Sequence, residues 1–460
     1  MSLKKHQHRS TEALLLLPVL VIAVLGFGMV AAALRTRQQE DPLSAFPEAL
    51  VPPILFGLVF ILIHILMWLR RSGVEQIVLP VVGLLLAIGL IMIYRLSGPQ
   101  GVWQQLIRGF IPGVLLMSLL IIRPNLIERL RRWAIPISLL GLALPIATAL
   151  FGVVDETGAR LALKIGPLPA IQTSEIIKVA LLIFLAWYIE RQGRVVEGRA
   201  RPIFGWLRLP AVRYFIPGAL FVATATLALV QMSDFGAVLI LGGLYIAMLY
   251  AGFETRVFAT VAAAGLGLGL IVGLILAFTW DLPAVIQYRF LAYRDPWSEA
   301  MVFADGQPTG VTISQGPGYQ IQQAIYATIA GGITGQGLGF GSPQYIPLAH
   351  SDFIFAAILE ELGAVIGIAV LILFAILILR ILRIAALLPS GQIFERLLLV
   401  GIAVHIFMQV FVMVSGTLNL LPMTGVTIPF LSQGGVALMV NLTEIGIVIA
   451  LAQRLEVDIA

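Results

Sequence analysis

The strongest constraint on the fold of this chain is a series of long apolar runs that recur along almost its whole length. About 17–25 apolar residues in a helix cross the ~30 Å hydrocarbon core of a bilayer. The chain is 59% hydrophobic and only 12% charged, as in membrane proteins. The pattern predicts an all-α polytopic membrane protein with about twelve transmembrane helices. The runs are Ala13–Leu34, Ala49–Leu69, Val74–Tyr94, Gln104–Ile122, Ala134–Gly152, Ile171–Tyr188, Tyr214–Met232, Phe235–Gly252, Val257–Thr279, Phe353–Leu379, Leu397–Gly416 and Ala437–Gln453.

The distribution of Lys and Arg among the connecting segments predicts the orientation of these helices. If the N-terminus is inside, the inside segments carry 20 of these cations and the outside segments carry 7. Cytoplasmic connections are the ones enriched in Lys and Arg, so both termini are predicted to be cytoplasmic. The net charge of +5 then reflects topology and contact with anionic membrane lipids, and it does not indicate nucleic-acid binding. The chain has no cysteine, which excludes disulfides and thiolate metal sites.

The longest connection covers residues 280–351, before the tenth predicted helix, and faces outward in this topology. Connections of this length are usually functional or disordered. Its middle, Ser298–Ser314, is polar with Gly and Pro, and is expected to be mobile. Its second half, Gly318–Ile329, has apolar residues at helical spacing and is expected to form an interfacial helix.

Ionisable residues inside apolar runs are costly and suggest function by default. Glu175 and Lys178 lie three residues apart on one helical face, so they are predicted to pair, either in a site or as an ion pair that seals the bundle. Asp234 falls in the short break between two runs, where a helix cap and a site role are equally open. Structural roles are favoured for the other, isolated members of this group, Arg108, His64 and His405.

The densest polar cluster follows the long connection and contains His350, Asp352, Glu360 and Glu361. Asp352 is suited to cap the helix that begins directly after it. Capping does not explain the two adjacent carboxylates about eight residues further on, roughly 12 Å along a helix. At least one of them is expected to face the protein interior or a wet cavity. The glycine-rich run Gly331–Gly341 lacks the lysine and the context of a nucleotide-binding loop.

Short motifs occur in a characteristic order from about Val74 to the C-terminus. They are Gly158-Ala159-Arg160, Gln172-Thr173-Ser174-Glu175 with Lys178, Gln231 with Asp234 and Gly236, Arg289, Asp295-Pro296, Gly318-Tyr319-Gln320, the run from Gly331 to Gly339, Pro347, His350-Ser351-Asp352-Phe353, Glu360-Glu361-Leu362-Gly363, and Thr424 to Ser432 with Gly434-Gly435. In these motifs the chain resembles the SEDS family (shape, elongation, division and sporulation), the group of RodA, FtsW and SpoVE. The resemblance implies a membrane glycosyltransferase domain over residues 74–460. Residues 1–73 would then form a cytoplasmic tail and two additional transmembrane helices.

The resemblance also implies an activity. Members of this family are expected to be peptidoglycan glycosyltransferases that polymerise lipid II, a polyprenyl-diphosphate-linked disaccharide peptide, at the outer face of the cytoplasmic membrane, for elongation or division. A class B penicillin-binding protein is the implied partner. A flippase for lipid-linked precursors and a non-catalytic scaffold for the penicillin-binding protein are the alternatives. No cofactor or metal site is assigned, and a divalent cation is left open.

The chain departs from the family where the catalytic aspartate is expected, in the pattern Asp-Pro-x-Gly-x-Gly-Tyr-Gln. Counting back from Tyr319 leads to Ile313, which has no acid–base chemistry. Counting forward from the Asp-Pro pair at residue 295 leads to Glu299, and Asp305 lies in the intervening insertion. Glu299 is therefore predicted to be the general base, with Asp305 as the alternative.

The other site residues are assigned by what the transfer requires. Cations stabilise the charge that develops on a departing diphosphate, and polar side chains hold the site in shape. The candidates for binding the substrate and its diphosphate are Arg160, Lys178, Arg289, Tyr319 and Gln320. The candidates for shaping the site are Glu175, Asp234, His350, Asp352, Glu360, Glu361, Thr424 and Ser432.

Overall fold

The computed structural model describes residues 9–41, 46–70, 75–153, 160, 162–164, 166, 170–198, 201–204, 207–209, 216–252, 265, 284–304 and 307–459. Most of these residues are helical. Within them, eight helices are long and apolar enough to cross a membrane, and Ile216–Gln231 is a shorter apolar helix. The chain is therefore an all-α integral membrane protein, as predicted, and the predicted span Val257–Thr279 falls almost entirely outside the described residues.

The described elements follow one another in a simple order. The helices are α1 (Ser10–Arg37), α2 (Phe46–Ala49), α3 (Val51–Leu69), α4 (Val78–Gln105), a π-helix (Leu106–Phe110), α5 (Ile111–Ile122), α6 (Leu126–Arg132), α7 (Ala134–Phe151), α8 (Thr173–Gly198), α9 (Ile216–Gln231), α10 (Phe235–Gly252), α11 (Ala284–Arg294), α12 (Tyr319–Gly331), a 3-10 turn (Pro343–Tyr345), α13 (Ile354–Leu387), α14 (Ile393–Thr417) and α15 (Gly435–Ile459). Short antiparallel pairs join β1 (Ala162–Leu163) to β2 (Ile171–Gln172), β3 (Arg201–Phe204) to β4 (Leu207–Leu209), and β5 (Met301–Ala304) to β6 (Gln307–Thr312).

The continuous helical stretch Val78–Ile122 contains two predicted spans. At 45 residues, it would be about 68 Å long as one straight helix, roughly twice the thickness of a hydrocarbon core. Gly98 breaks it, with φ 65° and ψ −166°, and Pro99 follows. A non-helical backbone at this point lets the chain change direction between the two spans.

The predicted span Phe353–Leu379 is wrong in its first part. The helix α13 begins at Ile354, but Gly363 has φ 79° and ψ 173°, which no residue within a helix adopts. The segment is therefore a short helix, residues 354–362, followed by a long helix, residues 364–387. The long part alone reaches about 36 Å and is sufficient to cross a bilayer. Glu360 and Glu361 consequently lie in the last turn before the break, not deep inside one continuous helix.

Residue contacts divide the chain into two compact units. Unit 1 comprises Met1–Pro124, Gln323–Leu387 and Thr427–Ala460, and unit 2 comprises Asn125–Gln322 and Leu388–Val426. The predicted division at residue 74 follows sequence resemblance and stays a prediction.

In unit 1, aromatic contacts join the first helices to the rest of the unit. The rings of Phe27 on α1 and Tyr94 on α4 lie with centroids 5.0 Å apart. Phe56 on α3 lies 5.7 Å from Phe110 on the π-helix. Because these large side chains are buried, one face of α1 and one face of α3 pack into the core of unit 1.

The start of α1 lies in a buried ionic cluster. Arg9 pairs with Glu12 and also donates to the carbonyl oxygen of Glu75 at 2.9 Å. His64 Nδ1 lies 2.6 Å from Glu12 Oε1, so the prediction that His64 is isolated is wrong. Arg380 at the end of α13 pairs with Glu75 at 2.9 Å. Arg9 and Glu12 are three residues apart. The contacts to His64, Glu75 and Arg380, however, join positions distant in sequence, which local spacing does not reveal.

In unit 2, α10 packs on α14 through Ile240, Val412 and Val426. The described residues in the middle of the long connection form a hairpin of β5 and β6, and the expectation that this segment is mobile stays a prediction. The helix expected over 318–329 is confirmed as α12.

Candidate functional site

The glycine-rich run of unit 1 wraps around the break in α13. The last carbonyls of the short helix, those of Glu360 and Glu361, accept hydrogen bonds from Gln336 N–H (2.8 Å) and Gly337 N–H (2.9 Å). Beyond the break, Ala364 N–H donates to the carbonyl oxygen of Gly332 at 3.0 Å. Helix ends leave backbone groups without partners inside the helix, and this run supplies those partners on both sides of Gly363.

This wrapping explains why the run is rich in glycine. Gly332, Gly335, Gly337 and Gly339 all have positive φ, between 55° and 100°, a region that side chains with a Cβ disfavour. A Cβ on Gly335 would lie 2.3 Å from the carbonyl oxygen of Glu361. The run is therefore a close-packed backbone collar around the helix break. We call residues 331–342 the glycine collar.

The two adjacent carboxylates hold the glycine collar with their side chains. Glu360 Oε1 accepts from Ser342 N–H at 2.7 Å, and Glu361 Oε2 accepts from Gly339 N–H at 2.9 Å. Arg95 on α4 donates its Nε–H to Glu361 Oε1 at 2.8 Å and also donates to the carbonyl oxygen of Gly341 at 3.1 Å. Both carboxylates are buried, which confirms the expectation that at least one faces the interior.

His350, Asp352 and Ser432 lie beside a second backbone network in unit 1. The Ser432 hydroxyl donates to the carbonyl oxygen of Ser351 at 2.7 Å and accepts from Ile428 N–H. Gln433 N–H donates to the carbonyl oxygen of His350 at 2.9 Å. Asp352 and His350 are half-buried, and burial lowers the pKa of the His350 imidazole. Two segments distant in sequence thus lie side by side.

The predicted pair in unit 2 is confirmed. Lys178 Nζ lies 2.8 Å from Glu175 Oε1, and both side chains are almost fully buried. Gln409 Nε2 donates to the other oxygen of Glu175 at 3.4 Å. Asp234 Oδ1 accepts from Ala237 N–H at 3.0 Å, so it caps the start of α10. Burial raises the pKa of Asp234, and the Ala237 N–H and the positive charge of Lys178 oppose that rise.

Two predicted diphosphate ligands meet at the turn between α9 and α10. Arg160 N–H donates to the carbonyl oxygen of Met232 at 3.3 Å, while its guanidinium donates to that of Ala149 at 3.0 Å. Arg289 on α11 donates to the carbonyl oxygen of Ser233 at 3.4 Å and lies over the ring of Phe235. The turn that contains Asp234 therefore carries one arginine from each of two other segments.

Thr424 lies next to the same turn. A Cβ on Gly236 would be 3.0 Å from Thr424 Oγ1, so the loop after α14 packs directly against the start of α10. The predicted residues Arg160, Arg289, Asp234 and Thr424 are thus brought together in unit 2.

The predicted base, Glu299, lies at the foot of the β5–β6 hairpin. Ile313 N–H donates to the carbonyl oxygen of Ala300 at 2.9 Å, and Ser314 N–H donates to that of Ser298 at 3.0 Å. The Ser314 hydroxyl donates to Glu299 Oε1 at 3.3 Å. Glu299 itself is exposed. The two sequence countings thus lead to the two ends of one hairpin, because Glu299 precedes β5 and Ile313 follows β6.

The segments before and after the insertion are in direct contact with each other. A Cβ on Gly318 would lie 2.2 Å from the carbonyl oxygen of Pro296, so only glycine permits this approach. Gln322 on α12 donates to the same oxygen at 2.6 Å. Tyr319 and Gln320 begin α12, with Tyr319 37% exposed. The alternative base, Asp305, lies outside the described residues.

Sequence reasoning missed Arg95 and Gln105. Arg95 has its partner Glu361 266 residues away, and Gln105 bonds to Ser432 O (3.1 Å) and Gly434 N–H (2.9 Å), more than 300 residues away. No local spacing reveals such pairs. The one available signal was an arginine directly at the end of an apolar run, which is costly near a membrane interior.

Comparison with known proteins places these motifs in a family. The family model for FtsW, RodA and SpoVE, described as cell cycle protein, matches residues 75–456. Peptidoglycan glycosyltransferase RodA of Mycobacterium bovis is 29% identical over 452 residues, which cover 94% of this chain and 88% of RodA. The probable peptidoglycan glycosyltransferase FtsW of Trichlorobacter lovleyi is 32% identical, over 71% of this chain and 77% of its own length.

A solved structure shares the architecture. It comes from work on the structural coordination of polymerization and crosslinking by a peptidoglycan synthase complex. Its chain superposes with a TM-score of 0.63 at 25% identity, covering 82% of this chain and 96% of the other. The family match spans well over half of the sequence and includes every described site residue above. The chain belongs to the FtsW/RodA/SpoVE family.

Proposed function

We propose that this protein is a peptidoglycan glycosyltransferase that polymerises lipid II into glycan strands. In each step a sugar hydroxyl of one substrate molecule attacks the anomeric carbon of the sugar that is linked to the diphosphate of the other. The new glycosidic bond forms, the bond from that carbon to the diphosphate oxygen breaks, and the polyprenyl diphosphate leaves. The hydroxyl loses its proton to a general base, which supports catalysis typically by about 10²–10⁴-fold.

One observation carries the assignment of the base to this chain. Glu299 stands exposed at the foot of the hairpin, with its carboxylate next to the Ser314 hydroxyl. The hairpin extends away from this point while Pro296, Ile313 and Gly318 close its base. An insertion of this kind keeps a carboxylate in the loop that carries the family pattern, although the pattern is interrupted in sequence.

Arg160 and Arg289 are the proposed stabilisers of the departing diphosphate. Both contact the turn between α9 and α10, so their positions are fixed relative to one another. Guanidinium groups bind phosphate oxygens bidentately, and preorganised cations near developing charge are among the largest catalytic effects. Within the described residues, no group of three or more His, Asp or Glu gathers around one point. The divalent cation left open by the sequence is tested by adding EDTA to the assay.

The test of this function is polymerisation of purified lipid II by the purified protein, alone and with a class B penicillin-binding protein. Glycan strands that require this chain support the proposal. Transfer of lipid II between bilayer leaflets without polymerisation would favour the flippase. Activity that depends only on the partner would favour the scaffold.

The buried pair Glu175–Lys178 allows a prediction that separates a structural role from diphosphate binding. Lys178→Met leaves Glu175 as an uncompensated buried charge, and breaking such a pair costs about 3–5 kcal/mol. Adding Glu175→Gln removes that charge, so the double variant is expected to recover thermal stability. We expect polymerisation to stay low in the double variant because Lys178 also serves the diphosphate. Recovery of both stability and rate would show that Lys178 serves only as the structural ion-pair partner of Glu175.

We propose that the protein resides in the bacterial cytoplasmic membrane with both termini inside. The excess of Lys and Arg in the inside segments supports this orientation. A cysteine introduced at Gly306 is expected to react with an impermeant reagent in intact spheroplasts, and one at Gly198 is expected to react only after lysis. The chain has no native cysteine that would interfere. The opposite labelling pattern would place the long connection, and with it Glu299, on the cytoplasmic side and would contradict the proposed site.

The proposed partner is a class B penicillin-binding protein. The similar solved structure belongs to a peptidoglycan synthase complex that coordinates polymerization and crosslinking, and an enzyme that makes strands has a use for one that joins them. Isolation from native membranes in mild detergent is expected to yield both proteins together. Recovery of the isolated chain alone would contradict this partnership.

A further inference from the structure

The end of α1 reaches the glycine collar. Arg37, the last residue of this helix, donates from Nη2 to the carbonyl oxygens of Phe340 (2.5 Å) and Gly341 (2.8 Å). Arg37 lies outside the family-matched residues 75–456, whereas both carbonyls belong to them. A helix that precedes the family-matched residues therefore contacts the segment that holds Glu360 and Glu361.

The carbonyl oxygen of Gly341 is shared by two arginines. Arg95 reaches it from α4 at 3.1 Å and Arg37 reaches it from α1 at 2.8 Å. Arg95 also binds Glu361. Hydrogen bonds from charged donors are roughly twice as strong as neutral ones. The carbonyl oxygen of Gly341 is thus bound by two arginines. Arg95 is buried and lies within the family-matched residues, whereas Arg37 lies on α1, before them.

The backbone of the collar at Gly339 packs directly against Ala33 of α1. A Cβ on Gly339 would lie 2.5 Å from the Cβ of Ala33, so this helix leaves no space for a side chain there. Ala33 is itself 4% exposed. The neighbouring amide of Gly339 donates to Glu361. A displacement of α1 at Ala33 therefore bears directly on the residue that binds the Glu361 carboxylate.

The start and the middle of α1 are fixed by contacts with other parts of unit 1. Its start is fixed by the ionic cluster of Arg9, Glu12 and Glu75. Its middle packs on α4 through Phe27 and Tyr94. A glycine-rich segment has large conformational entropy when free, so contacts from a fixed helix restrict it effectively.

We propose that α1 is a positioning element for the glycine collar, and that Arg37 is the positioning residue through which it acts. This inference rests on the proposed function. The collar in turn holds the carboxylates of Glu360 and Glu361, which the sequence predicts to shape the site. Removing the contact leaves the collar mobile around Gly341 and lowers the rate of the transfer step without removing a group that touches substrate.

The test compares matched pairs of variants in the full-length protein. Arg37→Gln removes the guanidinium that binds the collar, whereas Arg35→Gln changes an exposed arginine that pairs with Glu40 and does not contact the collar. Ala33→Leu pushes α1 away from Gly339, whereas Ala32→Leu makes the same change at the adjacent, half-buried position. Hydrogen–deuterium exchange of the amides of residues 336–342 is measured together with kcat and KM for lipid II.

We expect Arg37→Gln and Ala33→Leu to speed exchange in the collar by about tenfold, since local opening governs exchange. We expect kcat to fall about three- to tenfold with KM nearly unchanged, because a guanidinium that bonds two carbonyl oxygens near the surface contributes modestly. Arg37→Lys is expected to restore part of both. The two control variants are expected to behave as the parent.

Unchanged exchange in both Arg37→Gln and Ala33→Leu would overturn the proposal, as would faster exchange with an unchanged kcat. The exchange measurement needs no lipid II. If the parent protein fails to polymerise lipid II, the proposed function fails, and the exchange result alone then decides whether α1 holds the collar.

Discussion

Glu299→Gln is expected to abolish most polymerisation of lipid II, with a rate loss of about 10²–10⁴-fold. The amide retains the shape of the side chain and can still accept the hydrogen bond from Ser314, but it does not take up a proton. Glu299 is exposed at the foot of the hairpin, so expression and thermal stability are expected to change little. The measurement is the initial rate of glycan-strand formation by purified variants at matched concentration.

Two control variants make this result specific. Ser314→Ala removes the hydroxyl that donates to Glu299, and it is expected to lower the rate far less because it leaves the base in place. Asp305→Asn tests the carboxylate of the insertion and is expected to have the smaller effect of the two acids. A large loss in Asp305→Asn with a normal rate in Glu299→Gln would assign the base to the insertion. Parental rates in both single variants and in the double variant would move the search for the base to Asp352 or Glu360.

The sequence predicted much of the fold because membrane insertion imposes a simple rule. A helix needs about 20 apolar residues to cross, and such runs are read directly. Among the described residues, helices cover the predicted runs such as Ala134–Gly152 and Phe235–Gly252. The pair Glu175–Lys178 was also predictable, since both residues lie on one helix three positions apart.

The break at Gly363 was not predictable, because its cause lies elsewhere in the chain. Apolar residues continue on both sides of it, so hydropathy shows one run. The backbone departs from a helix there because the glycine collar, some 25 to 30 positions earlier, supplies the hydrogen bonds that the helix loses. The high glycine content of the collar is visible in the sequence, but the backbone conformation that requires it is not. Only the positive φ values show that these glycines are needed for a close wrap.

The hairpin insertion illustrates a different limit. Counting along the chain gave two incompatible positions for the base, Glu299 and Ile313, because counting assumes an uninterrupted segment. In the folded chain the two positions lie on the two sides of the hairpin base, where Ile313 is hydrogen-bonded to Ala300, the residue after Glu299. Glu299 thus lies at the hairpin base although its sequence register to the Gly318-Tyr319-Gln320 motif is lost, and its role as the base stays a prediction.

Arg95→Gln is expected to destabilise the protein by about 3–5 kcal/mol, the range for breaking a buried ion pair by removing one partner. The Arg95 and Glu361 side chains are 5% and 0% exposed, so water does not replace the lost partner. The Glu361 carboxylate would keep the hydrogen bond from Gly339 N–H, and the carbonyl oxygen of Gly341 would lose one of its two arginines. Thermal unfolding in detergent, followed by tryptophan fluorescence, measures the shift in Tm.

The matched control is Arg108→Gln, which changes an exposed arginine of the same unit on the π-helix and is expected to leave Tm near the parental value. A double variant, Arg95→Gln with Glu361→Gln, tests whether the two side chains act as a pair. Residues in contact show coupling energies of about 0.5–3 kcal/mol, so the double variant is expected to be more stable than the sum of the single losses. If the losses simply add, the two side chains act independently, and the Arg95–Glu361 contact does not hold the glycine collar. If they couple, the collar depends on a pair that the sequence separates by 266 positions, and the polymerisation rate is expected to fall in each single variant along with its Tm.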